Sequence, residues 1–272
     1  MGLFGFGRKK ERKEQREEPA GGGFLGFVLL EEPTWDRAQF KRDLLEDWGI
    51  DTADAEEDAD DGQYKDILLT EQEGMRLVVS FIPAPVPDGE AEHYAAANYL
   101  WPEAVEAARS HRAQILVAVL GDKTEPLEQG KLFTKAAAAC LKQPGALGIY
   151  TDGAVFQPEF YRDFAALMKK GGLPVMDWVW FGICRDETQA GIYTYGMKKF
   201  GRDEMEVYVD RDGADLNAIR DFMMSIVSYV LESGAVLRDG ETIGFSEDQK
   251  LPITRSRGVA LDGESLKIGY PG

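Results

Sequence analysis

Tyrosine and glutamate side chains recur along residues 191–209, the stretch best suited to chemistry. Side chains alternate across a strand, so Tyr193 and Tyr195 share one side of a predicted strand. Glu204 and Glu206 share one side of the next, where two like charges raise the pKa of one carboxyl group. A bent strand or hairpin with a solvated face explains this pattern. The sharper hypothesis is that the tyrosine and glutamate face lines a groove.

Aromatic side chains suggest a second chemistry, which is stacking on a ligand. Trp178 and Trp180 are predicted to share a strand face. Core packing or cross-strand pairing explains such residues as well as a stacking platform does. Trp101 precedes a proline that starts or kinks a predicted helix. The candidate ligand-binding residues are Tyr193, Tyr195, Glu204, Glu206 and Trp101.

Metal and nucleophile motifs are missing from the sequence. His93 and His111 lie 18 residues apart, without the spacing of a helical metal pair. The acidic run at residues 51–61 lacks the glycine and distal glutamate of a calcium loop. No nucleophile motif or phosphate-binding loop is present. The sequence therefore indicates no metal, no cofactor and no catalytic residue.

The composition indicates a folded protein with a strong negative charge. Of 272 residues, 44% are apolar, which suffices for a core of one large or two ordinary domains. Acids outnumber bases 48 to 31, giving a net charge of −17. Nucleic acids repel such a surface, so we expect no nucleic-acid partner. A protein partner with a basic surface fits this charge. The oligomeric state is left open.

Cysteine content and hydropathy predict a cytoplasmic location. Cys140 and Cys184 lie in apolar surroundings, as buried thiols do in a reducing compartment. No apolar run reaches the length of about 20 residues that spans a bilayer. Residues 1–23 are predicted to be a disordered tail ending in three glycines. Its basic residues leave surface contact with a membrane open, without stable insertion.

The order of predicted elements indicates an α+β fold built by duplication. Residues 24–122 have the order β-α-β-β-α-β of a split βαβ, or ferredoxin-like, unit with a mostly antiparallel sheet. An alanine-rich linking helix covers 123–145. Residues 146–272 repeat the order and add short C-terminal strands. Residue identities support the repeat, because residues 40–43 and 160–163 match at three of four positions.

The most pronounced apolar stripe of the sequence predicts a long helix over residues 215–233. Phe222, Ile226 and Val230 recur at intervals of four residues and therefore share one face. This face is expected to pack on the sheet that contains residues 178–184 and 192–197.

Several phrases together resemble a mainly bacterial family, the domain of unknown function 4261 (DUF4261). The resemblance covers nearly all of residues 24–270 and rests on overall pattern. It implies an intracellular protein and supplies no catalytic residues. The phrases are FVLLEEPTW at 27–35, NYLWP at 98–102, SHRAQILVAVLG at 110–121, YTYGMKKFGRDEMEV at 193–207 and DGETIGF at 239–245.

Three hypotheses for function follow from these observations. The first is a cytoplasmic, non-catalytic protein-interaction module, with an immunity-like or regulatory role against a basic partner. Negative charge and the lack of a catalytic constellation favour it. The second is a small-ligand-binding protein with a cleft between its two halves. The third is an enzyme that uses the tyrosines and glutamates of residues 193–206.

Overall fold

Two β-sheets and seven α-helices form the described part of the chain. The computed structural model describes residues 23–53, 56–57, 67–121, 123–151, 153–246 and 248–271. Nearly all of the predicted tail and most of the acidic run lie outside these residues. The predicted α+β class is confirmed. No helix in the described ranges is long and apolar enough to cross a membrane.

The first sheet has seven strands, and all its pairings are antiparallel. Its spatial order is β2-β3-β4-β5-β1-β6-β7. The central strands are rich in β-branched and leucine residues, as expected of strands buried on both faces. The strands are β1 (Phe24–Leu30), β2 (Glu56–Glu57), β3 (Ile67–Gln72), β4 (Met75–Ile82), β5 (Ala113–Leu120), β6 (Ala146–Thr151) and β7 (Ala154–Phe156).

Helices cover both faces of this sheet. In β1, Val28 and Leu30 face the main core, whereas Phe27 and Leu29 face a second cluster with α2 and α3. Alternation along the strand therefore requires two helical layers. The helices are α1 (Arg37–Trp48), α2 (Glu90–Ala95), α3 (Ala104–Ser110), α4 (Pro126–Cys140), α5 (Pro158–Ala165), α6 (Val175–Trp178) and α7 (Leu216–Ser233). Short 3₁₀ helices cover Pro87–Gly89, Ala166–Lys170 and Met197–Phe200.

The second sheet has six strands in the order β11-β12-β13-β10-β9-β8. It is mixed, because β10 and β13 are parallel and the other neighbours are antiparallel. The strands are β8 (Trp180–Arg185), β9 (Gln189–Tyr195), β10 (Met205–Asp210), β11 (Thr242–Ile243), β12 (Leu251–Arg257) and β13 (Glu264–Ile268).

Helix α7 confirms the predicted long helix. Asp215 caps its first turn by accepting from two backbone N–H groups, and Gly234 ends it in a left-handed conformation. Ile226 and Val230 are buried as predicted. Phe222 is only partly buried, because its ring packs edge-to-face on Phe245 near the surface. It still packs against the main core, on the same side of α7 as Ile226 and Val230.

Helix α4 joins the two sheets through one core, although the sequence predicts it as a linker. Ten of its 15 residues are buried. Phe133 packs against Phe24 of β1 with ring centroids 6.0 Å apart. On the other side, Trp178 Nε1 donates to Thr134 Oγ1 over 2.7 Å. The same helix thus contacts the first sheet and the segment that leads into the second.

The strand order corrects the predicted ferredoxin-like arrangement. A split βαβ unit has a parallel strand pair, whereas β5 separates β1 from β4 and every pairing in the first sheet is antiparallel. The predicted second unit begins with a strand at residue 146, but this strand, β6, pairs with β1 of the first sheet. The repeated letters lie in α1 and α5, two helices that pack on α4. Short-range patterns cannot specify which strands pair, because pairing depends on distant residues.

Candidate functional site

Glu204 fixes the connection between β9 and β10. The side chain is buried and accepts from Thr194 Oγ1 at 2.7 Å and from Gly196 N at 2.9 Å. Lys198 N adds a longer contact of 3.3 Å. Burial raises the pKa of this carboxyl group, and the hydrogen bonds oppose that rise. The surrounding turn therefore satisfies Glu204 without a ligand.

Glu206 holds the segment between β12 and β13 against β10. Its residue exposure is 0%, and its carboxylate accepts from Ala260 N at 3.0 Å and from Val259 N at 3.2 Å. Lys267 Nζ forms an ion pair with it at 2.5 Å. Burial raises the pKa of Glu206, but the hydrogen bonds from Lys267 and the two N–H groups outweigh it, so the pKa is lowered. Glu206 is therefore an ionised structural anchor.

Ser265 and Lys267 resemble a nucleophile with its base, but both side chains are already hydrogen-bonded within the protein. Lys267 Nζ lies 2.5 Å from Ser265 Oγ, and Ser265 also donates to Glu206 at 3.0 Å. Lys267 Nζ already donates to Ser265 and pairs with the carboxylate of Glu206, so it does not act as a base for the serine hydroxyl in this geometry. Ser265 has 0% exposure. The hydroxyl group of Ser265 is therefore closed to a substrate.

Arg202 and Asp203 attach the same turn to other elements. Arg202 donates to Gly234 O and Ala235 O, both at 2.8 Å, and so satisfies carbonyl groups at the end of α7. Asp203 forms a two-pronged ion pair with Arg255 of β12. Together with Glu204 and Glu206, Arg202 and Asp203 connect the turn between β9 and β10 to the end of α7, to β12 and to the segment between β12 and β13.

Tyr193 lies flat across the neighbouring strand. It pairs with Gly182 of β8, and a Cβ atom at Gly182 would lie 2.1 Å from Tyr193 Cζ. The glycine is therefore required for this packing. Glu206 is the cross-strand partner of Tyr193 on the other side. Thus Tyr193 and Glu206 share a face, as the sequence predicts, but the glutamate is covered by the segment it anchors.

Residues 98–101, which we call the connecting segment, connect the edge strands of the two sheets. Asn98 Nδ2 donates to Val155 O of β7 at 2.6 Å, and Tyr99 Oη donates to Phe181 O of β8 at 2.8 Å. These bonds satisfy carbonyl groups at two sheet edges, which would otherwise be available to another chain. Asn98 also accepts from the backbone N–H of Trp101 at 3.1 Å. The sheets thus meet at a defined junction.

Tyrosine side chains from both sheets come together at this junction. A Cβ atom at Gly153, after β6, would lie 3.1 Å from Tyr195 Cε1 and 3.5 Å from Tyr94 Cε1. Tyr94 stacks on Tyr150 with centroids 5.5 Å apart and planes 19° apart, and Tyr150 stacks on Phe27. Tyr195 is 41% exposed. We call Phe27, Tyr94, Tyr150 and Tyr195 the junction aromatics.

Glu90 places a negative charge beside the junction aromatics. Burial raises the pKa of Tyr150, and its hydrogen bond to Glu90 raises it further. Tyr150 therefore keeps its proton, and its hydroxyl group is a donor beside Glu90. Because Glu90 lies on the exposed side of α2, this charge faces solvent.

Residues 87–110, which include Glu90, carry an excess of acidic side chains, and we call them the acidic layer. The layer carries five acidic residues and one arginine, Arg109, which is paired with Glu106 at 3.2 Å. Four of the five acidic residues are exposed and the fifth is partly buried. The five acidic residues are Asp88, Glu90, Glu92, Glu103 and Glu106.

One tryptophan, Trp178, has a different position from that predicted. Trp178 belongs to α6 and is buried, so it shares no strand face with Trp180, the first residue of β8. Trp101 packs over Gly148 and lines a cavity of about 20 Å³ with Phe156 and Phe160. Trp180 contacts the ring of Tyr99 at 5.2 Å and pairs across the sheet with Tyr195.

Two small cavities occur among the described residues. One, lined by Met205, Val230 and Leu266, has a volume of about 30 Å³, and the other is the cavity beside Trp101. Ligand pockets usually measure about 300–1,000 Å³. Within the described ranges, no group of three or more histidine, cysteine or acidic residues is placed to hold a metal ion. His111 Nε2 accepts from Val86 N at 2.8 Å, so this buried histidine ties the end of α3 to the segment that follows β4.

The structure thus defines an α+β protein with two connected sheets and an aromatic junction at which Tyr195 is exposed. Residues 193–269 match the family model described as domain of unknown function (DUF4261). The resemblance seen in the sequence is confirmed over that part of the chain, which includes the networks of Glu204 and Glu206. Neither a search of curated proteins nor a search of solved structures found a match.

The structure separates the five predicted site residues into two groups. Glu204 and Glu206 are buried anchors, whereas Tyr193, Tyr195 and Trp101 lie at or near the junction. Sequence reasoning missed a tyrosine on each of three elements, namely helix α2, the connecting segment and strand β6. The phrase NYLWP contained a signal, because an asparagine and a tyrosine before a helix can cap sheet edges. The missed residues are Tyr94, Tyr99 and Tyr150.

Proposed function

We propose that the protein is a non-catalytic interaction module whose partner is a protein with a basic surface. The exposed acidic layer is the observation that carries this proposal. Surface charge of one sign steers an oppositely charged partner and raises its association rate. An immunity-like or regulatory role, in which the module covers a basic functional surface, is the concrete form of this proposal.

The state of the candidate chemical residues supports the same proposal. Glu204, Glu206 and Ser265 are consumed by hydrogen bonds within the second sheet. The free thiols Cys140 and Cys184 fit a reducing cytoplasm, in which we place the module. Burial raises the pKa of both thiols, which makes them weak nucleophiles.

Neutralising the acidic layer tests this function. The bait is the full chain, and the variant combines Asp88→Asn, Glu92→Gln, Glu103→Gln and Glu106→Gln. Quantitative mass spectrometry compares the proteins that the two baits capture from a lysate of the source cells. We expect the variant to lose captured proteins that have basic surfaces, because each exposed carboxylate adds to the steering field.

A matched control variant shows whether capture depends on the location of the neutralised acids or only on the net charge of the protein. The control variant neutralises four exposed acids of the C-terminal part, namely Asp239, Glu241, Asp262 and Glu264. It removes as many charges as the first variant and is expected to retain the captured proteins. Equal capture by all three baits would contradict the proposed function.

A further inference from the structure

The junction aromatics and Glu90 combine two properties that together select a ligand. Tyr94 and Tyr150 form a stack, and Tyr195 adjoins it from the other sheet. Tyrosine faces carry a negative electrostatic potential, which attracts a guanidinium or ammonium group. A carboxylate at the side of the same stack adds a direct acceptor for that group.

From this arrangement we infer that the junction is the docking site for an arginine side chain on a basic segment of the partner protein. This inference rests on the proposed function and names the contact through which it operates. The guanidinium group would stack on Tyr195 and Tyr94 and donate hydrogen bonds to Glu90. Arginine suits this site better than lysine, because its planar group both stacks and forms paired hydrogen bonds.

Exposure and composition support an interface at this place. Tyr195 is 41% exposed and Tyr99 is 37% exposed, and both belong to the small set of large exposed hydrophobic residues. Interface hot spots are enriched in tyrosine and arginine, and they lie within a rim of polar groups. The acidic layer supplies such a rim, and its charge is complementary to a basic segment.

Rigidity of the junction favours binding further. Asn98 and Tyr99 tie the edge strands of both sheets, and the aromatic rings pack on one another. A partner therefore meets side chains that are already ordered, which reduces the entropy lost on binding.

A peptide titration with the full chain tests the inference. The probes are fluorescent hexa-arginine and hexa-lysine peptides, and binding is followed by anisotropy at low and high salt. We expect hexa-arginine to bind more tightly than hexa-lysine. Tyr195→Ala should weaken hexa-arginine binding about 2- to 5-fold, the factor expected for one exposed cation–π contact.

Two further variants make the result specific to the ring. Tyr195→Phe keeps the aromatic face and should bind hexa-arginine as the wild type does. Tyr229→Ala removes a tyrosine that is 52% exposed on α7 and should leave binding unchanged.

A third variant tests the charge. Glu90→Gln should weaken binding and reduce its dependence on salt, because one charge is removed.

Three results would overturn the inference. They are equal effects of Tyr195→Ala and Tyr229→Ala, loss of binding in Tyr195→Phe, and no binding of either peptide. If the neutralised acidic-layer variant loses its captured proteins while Tyr195→Ala retains them, the inference fails and the proposed function stands. If neither variant loses them, both fail.

Discussion

Asp177 is a carboxylic acid held in the core next to the buried Tyr161. It is 3% exposed, and neither carboxylate oxygen has a hydrogen-bond partner among the described residues. Burial raises the pKa of Asp177 well above its usual value. At neutral pH this group therefore opposes folding, because the unfolded chain ionises it freely.

Asp177→Asn is expected to stabilise the protein at pH 8 and to change little at pH 4. A raised folded-state pKa means that the contribution of Asp177 is fully present below the unfolded pKa of about 3.9. That contribution is lost as pH rises toward the folded pKa. The neutral asparagine avoids this loss. Thermal melts of both proteins across this pH range measure the difference.

Asp186 provides a control of opposite sign. Backbone hydrogen bonds from Gln189 and Thr188 lower the pKa of this exposed carboxyl group. Its contribution is therefore present above the unfolded pKa and lost as pH falls, so Asp186→Asn should not stabilise the protein at pH 8. A parallel response of the two variants would disprove the assignment of the raised pKa to Asp177.

At the scale of elements, one carboxylate attaches the segment between β12 and β13 to β10. Glu206→Gln would keep the shape of the side chain and leave the ammonium of Lys267 without its partner. Removing one member of a buried ion pair typically costs about 3–5 kcal/mol. Because Lys267 keeps 20% side-chain exposure, we expect a loss near the lower end of that range. Urea unfolding measures it.

Glu264→Gln is the matched control for this prediction. Glu264 is an exposed glutamate on β13 and directly precedes Ser265 in the sequence. Its substitution should change the free energy of unfolding by less than about 0.5 kcal/mol. Similar losses in both variants would show that Glu206 does not anchor the segment.

The shared core around α4 makes the whole molecule one folding unit. Chains cut at the predicted boundary, giving residues 24–145 and 146–272, are expected not to fold separately. The first fragment would lose β6 from its place beside β1, and the second would lose Thr134 beneath Trp178. Exposing this apolar surface removes much of the stabilisation of each part. Calorimetry of the fragments and of residues 24–272 tests this expectation.

A cooperative transition in either fragment alone would contradict a shared core. Residues 24–272 should give one transition, because contacts through α4 couple the two sheets. Two separate transitions in this longer chain would also contradict it.

The sequence by itself determined the local elements. Regular apolar spacing predicts α7, and Asp215 and Gly234 mark its ends through capping chemistry. Alternation and apolar runs predict most strands, and acid-rich composition predicts a negative surface. The resemblance to DUF4261 also rested on letters alone and is confirmed for residues 193–269. Each of these features depends on neighbours within a few turns of chain.

Only the tertiary structure decided which residues meet. Glu206 and Tyr195 look equally suited to a ligand in the sequence, yet one is covered by residues 259–260 and the other stands beside Tyr94. Strand β6 likewise pairs with β1 and not within a second unit. These outcomes depend on contacts between residues 53 to 125 positions apart. Burial of apolar surface throughout the fold stabilises such contacts, so no local pattern specifies them.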